Sequence, residues 1–385
     1  MHAWTEEDRG PIAFAERVLA LLDQGRFTAT YKYAVMLGLM DLCMEHTDRH
    51  GHAPATVTTR QLAEKIIELY WPHAAPFRAL GEPRVLKQNA SHRHSQAEIL
   101  SAIVRFRDRP ETASAGSVHS ARTAAPFRYE MLARDVEWKL IEMPLPRLQT
   151  IGALDCPFIY SISWDRSVER RRVDVRRYQV GEGGSFDGLL RFQGRAAEYL
   201  CLLSGLLRPL IQRQWVAMVA AINGFEESRL GEFLFGVNRA SLLPLRGPLC
   251  ELQESRCFYC EERLSDRPER VPEVDHFIPV ARYHDNAIDN LVVAHRSCNA
   301  AKRDFLAATD HVCRWADRAA SHGRDLDAIA ADHAWERAED ETHGVVRAIY
   351  LRIPPDAPLW LHARQFVAPD IPRIADCLSR VRRTV

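Results

Sequence analysis

The sequence predicts a mainly α-helical protein that carries one small module of mixed α and β structure. Three observations carry that prediction. Apolar residues recur at helical spacing through most of the chain, and Thr58 with Gln61 and Ser95 with Glu98 each match a capping box at a helix start. A single stretch, from Cys257 to about Leu306, replaces the helical pattern with two short strand-like runs and a helix.

With 385 residues the chain is long enough for two or three domains, since single cores stop growing at roughly 250 to 300 residues. Apolar residues make up 46% and charged residues 26%, which excludes the disordered and membrane classes and leaves an ordinary globular protein. Basic and acidic side chains cancel at 51 each, so any surface that grips a polyanion has to be local. The first residues lack both the basic start and the apolar run of a leader. Residues 200–222 come nearest to a membrane span but are broken by Arg208, Pro209, Arg213 and Gln214; a cytoplasmic protein without membrane contact is the expectation. Nine cysteines, an odd number scattered along the chain, predict reduced thiols and metal ligands, not a disulfide framework, with Cys250 and Cys313 as plain core or surface thiols.

Residues 1–107 read as a helical N-terminal domain. Leu37, Met40, Leu42 and Met44, and then Leu62, Ile66, Ile67 and Tyr70, form stripes that face a core. Residues 108–126, rich in Pro, Ser, Ala, Thr and Arg without apolar period, read as an exposed linker. Residues 127–250 read as a mixed region: a short β-hairpin from strands at 158–164 and 173–180, then long helices over 189–225 with Pro209 as a kink or break, and a further helix near 230–243. Arg166, Arg170, Arg171, Arg172, Arg176 and Arg177 crowd this hairpin, either to hold phosphates or as a solvated, charge-protected edge. Residues 311–385 read as a C-terminal helical region.

The chemistry concentrates in 251–310. Cys257-x-x-Cys260 and His295-x-x-Cys298 present two ligand pairs, each on a tight turn, and four protein ligands of this kind suit a closed, structural Zn2+ site. Between them, a short apolar strand carries Asp275 and His276 next to each other and ends at Pro279, while 291–293 offers a partner strand and Cys298-Asn299 opens a helix through Lys302. Strand alternation puts Asp275 and His276 on opposite faces, so both address one phosphate only if the strand bends or the site lies at its end. An asparagine at a helix start is also an ordinary cap.

This set, Cys-x-x-Cys, Asp-His-x-x-Pro, Asn290-Leu291 and His-x-x-Cys-Asn-x-x-Lys, resembles the zinc-ribbon members of the HNH endonuclease family, with His295 standing where those members have a first cysteine. The resemblance implies a ββα-metal fold and an enzyme that hydrolyses phosphodiesters, with DNA as the expected partner. It implies His276 as general base, Asp275 and Asn299 as holders of one catalytic Mg2+ or Mn2+, and Asn290 as a brace that aims the histidine. Lys302 and Arg303 become candidate phosphate contacts or plain solvated charges, together with Arg170, Arg171 and Arg172; His284 is a spare loop histidine. A helical region ahead of such a module suggests a bacterial anti-phage defence or restriction-type nuclease under control of a regulatory subunit or homo-oligomer. The competing readings are a zinc-stabilised module that binds nucleic acid or a partner without catalysis, and an RNA-cutting enzyme with the same site.

Overall fold

The computed structural model describes residues 10–24, 28–78, 82–91, 96–236 and 242–380. Two compact units emerge: residues 1–43 with 54–238, and residues 44–53 with 239–385. The second unit thus recruits a short strip of chain from far upstream.

The first unit contains α1 (Pro11–Gln24), α2 (Tyr31–Glu45, whose last two residues fall in the second unit), β1 (Thr56–Thr58), α3 (Thr59–Tyr70), α4 (Glu98–Arg107), α5 (Val118–Ala124), α6 (Pro126–Glu142), β2 (Thr150–Ile151), β3 (Leu154–Asp155), β4 (Tyr160–Ser161), α7 (Arg172–Gln179), β5 (Leu189–Phe192), α8 (Ala196–Leu202), α9 (Ser204–Asn223) and α10 (Glu227–Phe235). Almost every residue of α2 is buried, as befits a helix that is apolar on all sides. Leu37, Met40, Leu42 and Met44 lie in the interior, and so do Leu62, Ile66, Ile67 and Tyr70 of α3. Thr58 and Gln61 form the expected capping box on α3, whereas Ser95 lies outside the described residues and Ala97 occupies the cap position of α4. The core centres on Trp215, whose ring meets His73 at 4.7 Å and Tyr70 at 5.0 Å.

Three readings of this unit are corrected. Within the stretch read as an exposed linker, α5 forms behind a Ser117 capping box, and Thr112 and Ala121 are buried. Residues 173–180 are not a strand of a hairpin; they lie in α7, because only Val175 is buried there while Arg172 lays its guanidinium over the Trp138 ring, 5.0 Å from its centroid. The strand is instead β5, read from sequence as the start of a helix, which pairs antiparallel with both β1 and β4. The helix break falls at Leu203, and α9 runs on through Pro209.

The second unit contains α11 (Leu243–Leu252), β6 (Pro272–His276), β7 (Leu291–His295), α12 (Arg296–Lys302), α13 (Thr309–Asp332), α14 (Glu339–Tyr350), β8 (Leu359–His362), β9 (Gln365–Val367) and α15 (Ile371–Ser379). Strands β6 and β7 pair antiparallel, Asp275 opposite Val292 and His276 opposite Leu291, and α12 follows directly, giving the expected ββα arrangement. The C-terminal region departs from an all-helical reading through the β8–β9 hairpin. Cys313 on α13 and Cys377 on α15 form a disulfide with 5.2 Å between Cα atoms, which corrects the reading of Cys313 as a plain thiol. The two are 64 residues apart, and such separation leaves no local signal. Among the described residues no helix is long and apolar enough to cross a membrane.

Candidate active site and metal-binding cluster

Cys257, Cys260, His295 and Cys298 each offer one ligand atom, and all four atoms lie within 4.8 Å of one another. The first pair sits on a turn closed by the Glu261 amide on the Cys257 carbonyl at 2.9 Å, and the Phe258 amide ties that turn to β7 through the Val293 carbonyl at 2.9 Å. The second pair spans the junction of β7 and α12. His295 turns Nδ1 towards Cys260 Sγ, 3.2 Å away, while its Nε2 donates to the Arg263 carbonyl at 3.1 Å. A backbone carbonyl can only accept, so the outer nitrogen carries the proton and the inner one keeps its lone pair for a metal. The Cys257 thiol is pushed down to about 5, mainly by the Cys298 thiol donating to it and further by backbone amides, against the effect of burial. Three sulfurs and one imidazole nitrogen at this spacing fit tetrahedral zinc.

On β6, alternation sends Glu273 and Asp275 to one face, and α12 packs along it. Asn299 Nδ2 donates to Glu273 Oε2 at 3.1 Å, and one helical turn further on Lys302 Nζ lies 3.1 Å from Asp275 Oδ2. Asn299 therefore sits one turn inside α12, where it caps nothing, and its carbonyl oxygen is left over. Asp275 is buried, with Oδ2 also accepting from the Tyr259 hydroxyl at 2.5 Å. Among the described residues no hydrogen bond engages Asp275 Oδ1 or Asn299 Oδ1; both are hard oxygens on the α12 side of β6 and of the type Mg2+ or Mn2+ takes. Lys302 corrects an expectation. It is fully buried and donates to the His276 carbonyl at 2.8 Å, so it is an internal tether instead of a phosphate contact, while Arg303 beyond it is exposed.

His276 is the last residue of β6, at the strand's end. Its Nε2 lies 2.8 Å from Asn286 Oδ1; with that amide oxygen accepting, Nε2 is protonated and Nδ1 is the basic nitrogen. Burial holds the imidazole below its ordinary value, which favours its neutral form, opposed by the Asn286 hydrogen bond and the Asp275 charge. The loop that carries Asn286 is clamped by Asn290. This residue is fully buried; its Oδ1 accepts from the Ile278 amide at 2.8 Å and its Nδ2 donates to the Asp285 carbonyl at 3.0 Å. Asp285 takes the Thr342 hydroxyl at 2.8 Å, and desolvation raises its carboxyl to about 7. Arg318 on α13 reaches the Asp289 carbonyl at 2.7 Å and so braces the same loop from below.

The sequence did not single out Tyr259, Glu273, Asn286, Asp285 or Arg318. The first four lie inside the recognisable stretch at positions its short patterns leave open, and Arg318 has no local signal. Arg170, Arg171 and Arg172 belong to the first unit, on one 3-10 turn and the start of α7; Arg170 and Arg172 are exposed and Arg171 pairs with Asp174 at 3.6 Å. His284 is exposed on the loop.

Residues 257–308 match the HNH endonuclease family, and residues 13–234 match a domain of unknown function (DUF8808). No curated protein and no solved structure matches the chain.

Proposed function

The chain belongs to the DUF8808 family and carries an HNH endonuclease module, and on that premise we propose that it is a metal-dependent endonuclease acting on DNA, within a regulated bacterial defence or restriction-type system. The observation that carries this reading is His276: an imidazole whose Nδ1 has no hydrogen-bond partner among the described residues, aimed by Asn286 and by the loop that Asn290 clamps, next in sequence to a buried carboxylate.

The residues divide the work. His276 Nδ1 takes the proton from the attacking water as the oxygen adds to phosphorus. Asp275 and Asn299 hold the divalent cation through their free oxygens; when bound, Mg2+ or Mn2+ supplies charge that polarises the phosphate and stabilises the departing 3′ oxygen. Lys302 keeps Asp275 in place and fixes the backbone at His276. The products are 5′-phosphate and 3′-hydroxyl ends. Zinc at the four-ligand cluster stays outside the reaction and holds the turn and α12 together. Exposed Arg303, Arg170 and Arg172 contribute phosphate contacts, and the helical first unit governs when cutting occurs.

Supercoiled plasmid, single-stranded DNA and RNA are incubated with the purified chain in Mg2+, in Mn2+ and in chelator, beside His276→Ala. We expect metal-dependent cutting that falls by about 10²- to 10⁴-fold in the variant. Equal cutting by the variant would remove His276 from its role. Absence of cutting under every metal would favour the zinc-stabilised binding module instead.

A further inference from the structure

Two aromatic rings of the second unit stand open at the end of the candidate active-site helix. Phe305, three residues beyond Lys302, is 43% exposed, and Phe366 on β9 is 40% exposed. Their rings meet edge to face with centroids 4.8 Å apart. Arg303 and Arg364 are exposed beside them in sequence, with exposed Asp304 between Arg303 and Phe305, and among the described residues neither arginine has an ion-pair partner. The hairpin that bears Phe366 is fixed in place. The Trp360 amide donates to the Leu306 carbonyl at 2.8 Å and the Ala308 amide to the Trp360 carbonyl at 2.7 Å, so β8 runs along the chain leaving α12. Trp360 itself is buried edge-on against Tyr259, 5.2 Å between centroids, and Tyr259 is the residue that bonds Asp275. Platform and candidate metal-holding carboxylate thus share one frame.

We propose that the open ring faces of Phe305 and Phe366 stack on unpaired bases of the nucleic-acid strand being cut, with Arg303 and Arg364 on the flanking phosphates. The inference rests on the nuclease reading and deepens it, making single-stranded or locally opened nucleic acid the substrate class. Every base has a π face, so open aromatic rings hold a strand without reading its sequence, and nearby guanidiniums offset its charge. A duplex, with its bases already stacked on each other, offers nothing to such rings.

The test measures anisotropy of labelled oligo-dT, oligo-U and a duplex of the same length with the full chain and no added magnesium, so that no cleavage intervenes. Phe366→Leu keeps the apolar bulk and removes the π face; Phe366→Trp keeps both. The leucine variant should weaken binding of the single strands roughly tenfold and of the duplex less than about twofold, and tryptophan should restore it. Arg364→Gln should also weaken the single strands and shallow their salt dependence. A preference between oligo-dT and oligo-U that Phe366→Leu erases supports the platform. The proposal is overturned if Phe366→Leu binds the single strands as tightly as the parent, or if all three ligands weaken together. It is equally overturned if the variant abolishes a concentration-dependent dimer and leaves oligonucleotide binding intact. Because binding is read without turnover, a chain that holds single strands through Phe366 yet cuts nothing would retain the platform and lose the nuclease reading.

Discussion

Trp215 in the first unit sits among Tyr33, Tyr70, His73 and Phe235 and gives its one polar atom to Gln88 at 2.7 Å; Trp315 in the second stacks on Phe277 and gives its N–H to the Asp289 carbonyl at 2.9 Å. The first tryptophan uses its hydrogen bond to seal an apolar centre. The second uses it to hold a loop. Around that loop Asn290, Asp289, Arg318 and Lys302 are all buried, a density of polar groups that a small module can tolerate only if each finds a partner. The lesson is that the module is built for position: apolar packing is non-directional, so ligands and directional bonds fix the strand end.

The comparison breaks most sharply at the metal cluster. Cys298→Ser should release zinc, and because structural zinc is worth on the order of 10 kcal/mol to a small fold, the unfolding step of the second unit should be lost. Metal analysis together with calorimetry reads this, and a variant that unfolds like the parent without zinc would refute the structural role. Next comes Trp215→Ala, expected to cost about 3–5 kcal/mol in urea unfolding while zinc content stays unchanged. A loss under 1 kcal/mol would mean that the aromatic centre is not what holds the first unit.

The smallest effect is a pH dependence of opposite sign in the two units. His73 is held down to about 4 by burial, so its share of stability is complete above the ordinary histidine value and disappears as pH falls towards 4. Asp285 is raised to about 7, so its share is complete below the ordinary carboxyl value and disappears as pH rises through 7. Asp285→Asn should therefore raise the melting temperature at pH 7.5 more than at pH 4.5. An equal shift at both pH values would show that the carboxyl does not titrate in this window.

Legibility in the sequence follows the range of the forces involved. The ligand pairs, Asp275, His276, Asn290 and Asn299 could be picked out because each belongs to a short pattern, and the capping box at Thr58 because it closes within one turn. Residues 173–180 were misread because alternating Val173 and Val175 look like a strand until Trp138, on a different helix, provides a resting place for Arg172. Strand β5 was missed because its partner β1 lies more than a hundred residues earlier. Lys302 looked like a surface charge because only the fold brings Asp275 and the His276 carbonyl to its ammonium. Phe305 and Phe366 gave no signal at all, since exposure cannot be read from residue type.

The strip at residues 44–53 belongs to the second unit although it precedes most of the first. Tyr283 donates its hydroxyl to Glu45, Arg352 reaches the Gly51 carbonyl at 2.6 Å, and a methyl group on Gly344 would lie 1.8 Å from the Glu45 carbonyl oxygen. Those three residues are shaped for a segment encoded some two hundred codons upstream of the zinc ligands. A gene fragment carrying only the motif-bearing end would therefore yield a module with an unfilled seam. Recombination could pass this unit to another protein intact only by moving two separate pieces of reading frame together.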